Sequence, residues 1–178
     1  MENLEMTFIT DETINKSLYK DLSVDDVHFY LDYVDGNFYW KNPTSRRVKK
    51  GGLAQVSGHR YLHLSINKKT YMKHKLVFFI HHGYAPKIID HIDGNPLNNN
   101  IENLREADKY QNTWNAKVRK HSSIGLKGVT FHPQTKKFRA RIRCFDKIYS
   151  LGLFPTKEEA HQAYCSASMF LHKDFGRF

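Results

Sequence analysis

Cysteine is almost missing from the 178 residues: Cys144 and Cys165 stand alone, with no Cys-x-x-Cys pair. A disulfide scaffold and a zinc site of four thiolates are thereby excluded, and reduced thiols are the default reading. Long apolar runs are missing too. The longest, Leu76-Val77-Phe78-Phe79-Ile80, suits a buried core segment and falls far short of the roughly 18 residues that a membrane helix needs. The first twenty residues carry Glu2, Glu5, Asp11 and Glu12 and no continuous apolar stretch, a pattern unlike a secretory signal. Core-forming material is not scarce: 40% of the chain is apolar and 13% aromatic, so disorder throughout is not expected. The length allows one domain or two small ones.

Positive charge is the strongest global feature. Lys and Arg total 28 against 18 Asp and Glu, a net charge of +10. Residues 1–35 hold only Lys16 and Lys20 against nine acids, a net of −7, so the rest carries +17. A basic body of this size attracts polyanions, nucleic acid first among them. The plainer alternative is a protein kept soluble by its charge. Histidine, with 11 residues, is the other excess.

Along the chain, the acidic head reads as a short helix or a mobile lead, with Ser23 and Asp26 a weak capping signal. Val27 to Tyr33 alternates like a strand and runs through Asp35-Gly36 into Asn37-Phe38-Tyr39-Trp40, a hairpin signature. Residues 42–52 are a basic loop. Tyr61 to Ile66 and Thr70 to Met72 are strands about an Asn67-Lys68-Lys69 turn. His74 to His82 is a buried helix ended by Gly83. Ile88 to His91 is a short strand entering an Asp93-Gly94 turn, and Asn98, Asn99 and Asn100 continue as a loop whose side chains bond to backbone. Asp108 caps a helix from Lys109 to about Arg119. Beyond a linker the pattern changes: strands at Val129–His132, Phe138–Cys144 and Ile148–Leu153 precede a helix opened by Thr156 and Glu159, with Ala160, Ala163, Tyr164, Ala167 and Leu171 on one face. The expected organisation is an acidic segment (1–26), a first module (27–118), a linker (119–125) and a second module (126–178), of α+β class.

Two constellations carry chemistry. The first is Asp90-His91 with Asn103 and Asn112. Hydrolysis of a phosphodiester needs a base for water, which a neutral imidazole supplies, and positive charge for the developing phosphorane, which a hard divalent cation supplies. Alternation along a strand aims Asp90 and His91 at opposite faces, so the strand must end or twist there. On residues alone, a mere turn followed by a capped loop is an equal reading. The stretch Asp90-His91-Ile92-Asp93-Gly94-Asn95, Asn99, Ile101-Glu102-Asn103-Leu104-Arg105 and Gln111-Asn112, with its lead-in Tyr71 to Val77, resembles the HNH nucleases, and more narrowly the phage-type HNH homing endonucleases. The resemblance covers about residues 27–116 and implies a ββα-metal fold. It implies His91 as general base and Asp90 and Asn112 as holders of one divalent cation at the scissile phosphate. Asn103 would fix the loop and orient the His91 ring. Asn112 stands where other branches carry His, which argues for magnesium, with manganese as the alternative, over zinc. His74 is a supporting candidate, a packed histidine being the blander reading. Glu106 is read as a solvated side chain rather than a spare ligand.

The second constellation is Phe138-Arg139-Ala140-Arg141-Ile142-Arg143-Cys144. Period-two alternation puts Arg139, Arg141 and Arg143 on one sheet face and the apolar residues on the other. With no acid among them, the arginines suit a polyanion better than a self-neutralised surface. The Gly128 to Phe131, Phe138 to Ile142, Leu151 to Ala160 and Ala163-Tyr164 stretches are similar to the Apetala/ethylene-response-factor DNA-binding domain, over about residues 124–176. That resemblance implies a three-stranded antiparallel sheet read into the major groove with a helix behind it. Lys127 and Lys147 join the expected DNA-binding set. Cys165 departs from the usual Asp of that family.

Together these readings describe a site-specific, metal-dependent HNH DNA endonuclease of the homing type, with double-stranded DNA as partner. They imply no membrane, no small-molecule cofactor, a monomer or weak dimer, and a location in the cytoplasm of a phage-infected bacterial cell. The alternatives are a non-catalytic DNA-binding regulator with a degenerate nuclease module and a structural RNA-binding protein.

Overall fold

The computed structural model describes residues 19–58, 60–119 and 121–178. It is a mixture of helices and small antiparallel sheets, in keeping with the α+β class. The chain divides into two compact units, Met1–Glu106 and Ala107–Phe178. Most of the expected acidic head lies outside the described residues.

The first described helix departs from the sequence reading. Val24–Tyr30 is α1, not the start of a strand. The weak signal decides it: the Ser23 hydroxyl accepts from the Asp26 amide at 3.0 Å, and the Asp26 carboxylate accepts from the Ser23 amide at 2.9 Å. This reciprocal box satisfies two otherwise orphaned N–H groups. The chain then becomes extended at Leu31, and β1 (Leu31–Val34) pairs with β2 (Asn37–Trp40). Asp35 and Gly36, the two turn residues, both have positive φ, 45° and 76°, as the tight primed hairpin turn requires.

A second small sheet orders β3 (Val56–Ser57), β4 (Leu62–Ile66) and β5 (Lys69–Met72). Leu64, Ile66 and Tyr71 are buried with Leu76, Val77, Phe78 and Phe79 of α2 (Lys73–His82), Val27, Leu31 and Phe38. At roughly 1.5–3 kcal/mol for each large apolar side chain buried, this cluster dominates the stability of the unit. The helix stops at Gly83, whose φ is 76°. β6 (Ile89–His91) and β7 (Leu104–Glu106) then form a two-stranded ladder on either side of the Asn-rich loop.

The second unit opens with α3 (Lys109–Trp114), capped by Asp108 and Gln111 as the sequence suggests. It ends at Trp114 rather than near Arg119. Trp114 stacks on His172 with ring centroids 4.4 Å apart, and the next carbonyl, that of Asn115, accepts from Arg177 Nε at 2.9 Å. These contacts, with Tyr110 donating to Asp146 at 2.8 Å, tie α3 to the C-terminal part of the chain. Ile124 and Leu126 likewise pack against the core of this unit. The helix read with the first module and the stretch read as linker are thus both elements of the second unit. Its sheet orders β10 (Lys147–Phe154), β9 (Lys137–Cys144) and β8 (Val129–His132), all antiparallel, and α4 (Lys157–Leu171) covers one face. Thr156 caps α4 by accepting from the Glu159 amide at 3.2 Å.

Candidate active site and nucleic-acid interface

Asp90 and His91 are successive residues of β6, and both are buried, at 3% and 7% exposure. Asp90 lies directly across the ladder from Arg105. Cross-strand partners project to the same face, and here they form an ion pair: Arg105 Nη2 and Nε approach Asp90 Oδ2 at 2.8 and 2.9 Å. Sequence reasoning did not anticipate this partner, because Arg105 reads as part of a loop until β7 is known to return alongside β6.

His91 ends the strand. Its carbonyl accepts from Gly94 at 2.7 Å, closing the turn, and Ile92 donates to Asn103 O at 2.9 Å. The His91 ring is held through Nε2, 3.1 Å from Asn99 Oδ1. The Asn99 amide is oriented by its own Nδ2, which donates to the Leu97 carbonyl at 3.2 Å. An amide oxygen only accepts, so in this contact the ring donates through Nε2. Asn103, expected to orient this ring, has a different set of contacts. Its Oδ1 accepts from the Asp93 amide at 2.9 Å, and its Nδ2 donates to Asp93 Oδ1 at 3.0 Å and to Asn98 O at 2.8 Å. Asn103 thus braces the loop, and Asn99 is bonded to the ring.

His74 lies against His91, with ring centroids 5.2 Å apart at 61°, and against Tyr61 at 5.0 Å. Burial, then the charge of His91, push its pKa down to about 3, so it stays neutral at ordinary pH. Its neighbour Lys73 is also buried. The ammonium donates to Asn37 Oδ1 at 2.7 Å and Gln55 Oε1 at 3.2 Å, and burial lowers its pKa. Asp93 is held below the usual carboxylate range: burial raises it, but bonds from Asn95, Asn98 and Asn103 together outweigh that. Glu106 accepts from the Tyr84 hydroxyl at 2.7 Å, a structural contact.

Asn112 belongs to α3 in the second unit, and its side chain is exposed. Among the described residues, no three His, Cys, Asp or Glu side chains converge as a metal cage. The donors that the sequence offers, a carboxylate and an amide oxygen, suit a hard cation that keeps most of its water, as magnesium does, and lack the soft ligands zinc favours.

In the second unit the strand alternation is as read: Ala140 and Ile142 are buried, and Arg141 and Arg143 are exposed on the other face. Arg139 is half-buried, and its Nε is a buried donor with no hydrogen-bond partner among the described residues. Lys147 is exposed at the start of β10. Lys127 differs: its ammonium donates to the Trp114 carbonyl. Burial, then Arg177, push its pKa down to about 8.

Comparison with known proteins bears on this geometry. Residues 71–113 match the HNH endonuclease family, a span that contains the His74 lead-in, Asp90-His91, the braced loop and Asn112. Over 112 residues the chain is 34% identical to Protein 3.8 of Escherichia phage T7, taking in 62% of this chain and 92% of that protein. The chain belongs to the family of that phage protein. Its HNH endonuclease match points to a nuclease and implies a DNA substrate. No solved structure matches. No helix among the described residues is long and apolar enough to cross a membrane.

Proposed function

We propose that this HNH protein is a metal-dependent DNA endonuclease of the homing type, with His91 as its general base. The observation that carries the reading is the pair Asp90-His91 at the end of a buried strand. One ring nitrogen of His91 is occupied by Asn99. His91 Nδ1 takes a proton from water as the water oxygen attacks phosphorus in line; the P–O3′ bond breaks and the departing 3′ oxygen takes a proton from solvent, giving 5′-phosphate and 3′-hydroxyl ends. Asp90 and Asn112 are the residues that would hold one divalent cation, magnesium or manganese, which supplies positive charge to the phosphate when bound. Arg105 steadies the Asp90 carboxylate through the ion pair. Asn103 keeps the turn after His91 in shape.

The C-terminal sheet, of Apetala/ethylene-response-factor type on this reading, supplies the DNA grip. Arg139, Arg141 and Arg143 share its uncovered face, and Lys147 stands at its edge. The partnerless Arg139 Nε supports this, because a buried donor without an acceptor is costly unless a ligand provides one. Lys127 is left out of the contact set, since its ammonium caps α3. One HNH site on a monomer favours nicking; a double-strand cut would need a dimer or two successive events.

End-labelled duplex carrying a cleavage site tests the reading. Products with 5′-phosphate and 3′-hydroxyl ends, lost in His91→Ala while gel-shift binding is kept, are expected. Unchanged cleavage by His91→Ala would remove the base assignment. Tight binding with no cut by the wild type on any DNA offered would favour the regulator.

A further inference from the structure

The loop between β2 and β3 has no part in the mechanism above, yet it is the most densely charged segment of the first unit. Eleven Lys or Arg, and no Asp or Glu, stand between Asp35 and Asp90. Four of them, Arg46, Arg47, Lys49 and Lys50, fall within five residues and are all exposed. Among the described residues no carboxylate pairs with these four, Asp32 being paired with Lys41 at 3.8 Å and Asp21 with Lys69 at 3.2 Å. Like charges packed this closely repel one another, which a solvated face has no reason to accumulate without a polyanionic partner.

The loop is also pinned. Trp40 donates to Gly52 O at 2.9 Å and accepts from Gly51 at 2.7 Å; Ala54 donates to Phe38 O at 2.7 Å; Val48 donates to Ser45 O at 3.1 Å. Beside it runs a groove of about 710 Å³ with Trp40 among its lining residues. Thr44 and Ser45 line it from the loop, and Ser65, Asn67 and Lys68 from β4 and its turn. β3 pairs with β4 only through Val56 and Ser57, so from Leu64 onward that edge of β4 has no strand from β3 beside it. Gln55, also in the groove, gives its carbonyl to Lys73, which leaves its NH₂ as a donor. Lys68, the Thr44 and Ser45 hydroxyls and the Gln55 amide line the groove and no carboxylate does; with the four exposed loop cations on the neighbouring segment, this is chemistry that suits phosphodiester oxygens.

We propose that the 45–50 loop and its groove bind the sugar–phosphate backbone of duplex DNA, a DNA-binding surface additional to the arginine-bearing sheet. The inference rests on the reading of this protein as one that acts on DNA, but not on its cutting.

The test is fluorescence anisotropy of the full chain on a labelled 30-base-pair duplex in EDTA, over a range of salt concentrations. The variant R46A/R47A/K49A/K50A is set against K20A/K87A/K157A/K173A, which removes the same charge elsewhere. Each phosphate contact contributes about 0.9 to the slope of log K against log salt. The loop variant is expected to bind about tenfold or more weakly, with a slope shallower by about 2–4, while the control stays near wild type. R46K/R47K, which keeps the charge, is expected to keep the slope. A loop variant indistinguishable from the control would overturn the proposal. So would loss of affinity confined to an RNA hairpin competitor. Plasmid nicking scored separately keeps the two readings apart: a wild type that never nicks, with a loop variant that still loses affinity and slope, sinks the nuclease and leaves this surface standing. No DNA binding by the wild type at low salt overturns both.

Discussion

His74 is 4% exposed, its ring packed against those of His91 and Tyr61. Burial holds its pKa near 3, against 6.5 in the unfolded chain. The unfolded state therefore binds the proton first as pH falls. Stability from keeping this ring neutral is complete above pH 6.5 and is lost progressively down to about pH 3. Between pH 7 and pH 5 the loss is about 2 kcal/mol. Urea denaturation at the two pH values measures it, and His74→Gln, which takes up no proton, is expected to show a smaller fall. Asn99 makes a second prediction. Asn99→Leu leaves the His91 Nε2 hydrogen without its acceptor, at a cost of about 1–3 kcal/mol. Cleavage is expected to drop tenfold or more with DNA binding kept, and Asn99→Asp, which retains an acceptor, should recover part of the rate. Equal rates for wild type and Asn99→Leu would remove Asn99 from the site. The sequence made Asp90 and His91 legible because they are adjacent and distinctive. It did not separate the roles of Asn98, Asn99, Asn100 and Asn103, since side chains of one type in one loop are distinguished only by which backbone groups they reach.

At the scale of the elements, the arginine strand was legible because period-two alternation is a strong signal and the register keeps it: Arg139, Arg141 and Arg143 pair with Leu153, Ser150 and Ile148 of β10. α1 was not, because its seven residues bury only Val27, too little apolar periodicity to outweigh an alternating reading. β7 was missed for a related reason: three residues define it, and their pairing with β6 is a tertiary fact. Replacing the three arginines by Ala is expected to weaken DNA binding and flatten its salt dependence by about 2–3 in slope; unchanged affinity and slope in a titration would refute the sheet as a DNA contact. The entry to β8 carries a stability prediction. Gly128 has φ 76°, and a Cβ there would run into the Tyr164 ring. Gly128→Ala combines backbone strain with a clash in a packed core, so a loss of about 2 kcal/mol or more is expected in denaturant unfolding.

For the whole molecule, the sequence reads as an acidic segment, a first module to residue 118, a linker and a second module, and the structure has two compact units, Met1–Glu106 and Ala107–Phe178. What composition did not mark was the membership of α3. Its caps are local and readable, but the stack of Trp114 on His172 joins residues 58 positions apart. A fragment beginning at Ala107 is therefore expected to melt several degrees above one beginning at Ser122, which lacks α3; equal melting temperatures would show that α3 adds nothing to the second unit. The HNH endonuclease match runs to residue 113, so it takes in both the β6–β7 ladder of the first unit and most of α3.

On the proposed function, the protein cuts DNA with His91 and a divalent cation. Supercoiled plasmid incubated with the full chain in magnesium, in manganese and in EDTA, beside His91→Ala, tests it most directly. Conversion to nicked circles in either metal, absent in EDTA and absent with the variant, is the result this account expects. Nicking that persists in EDTA, or that the variant performs as well as the wild type, would contradict it.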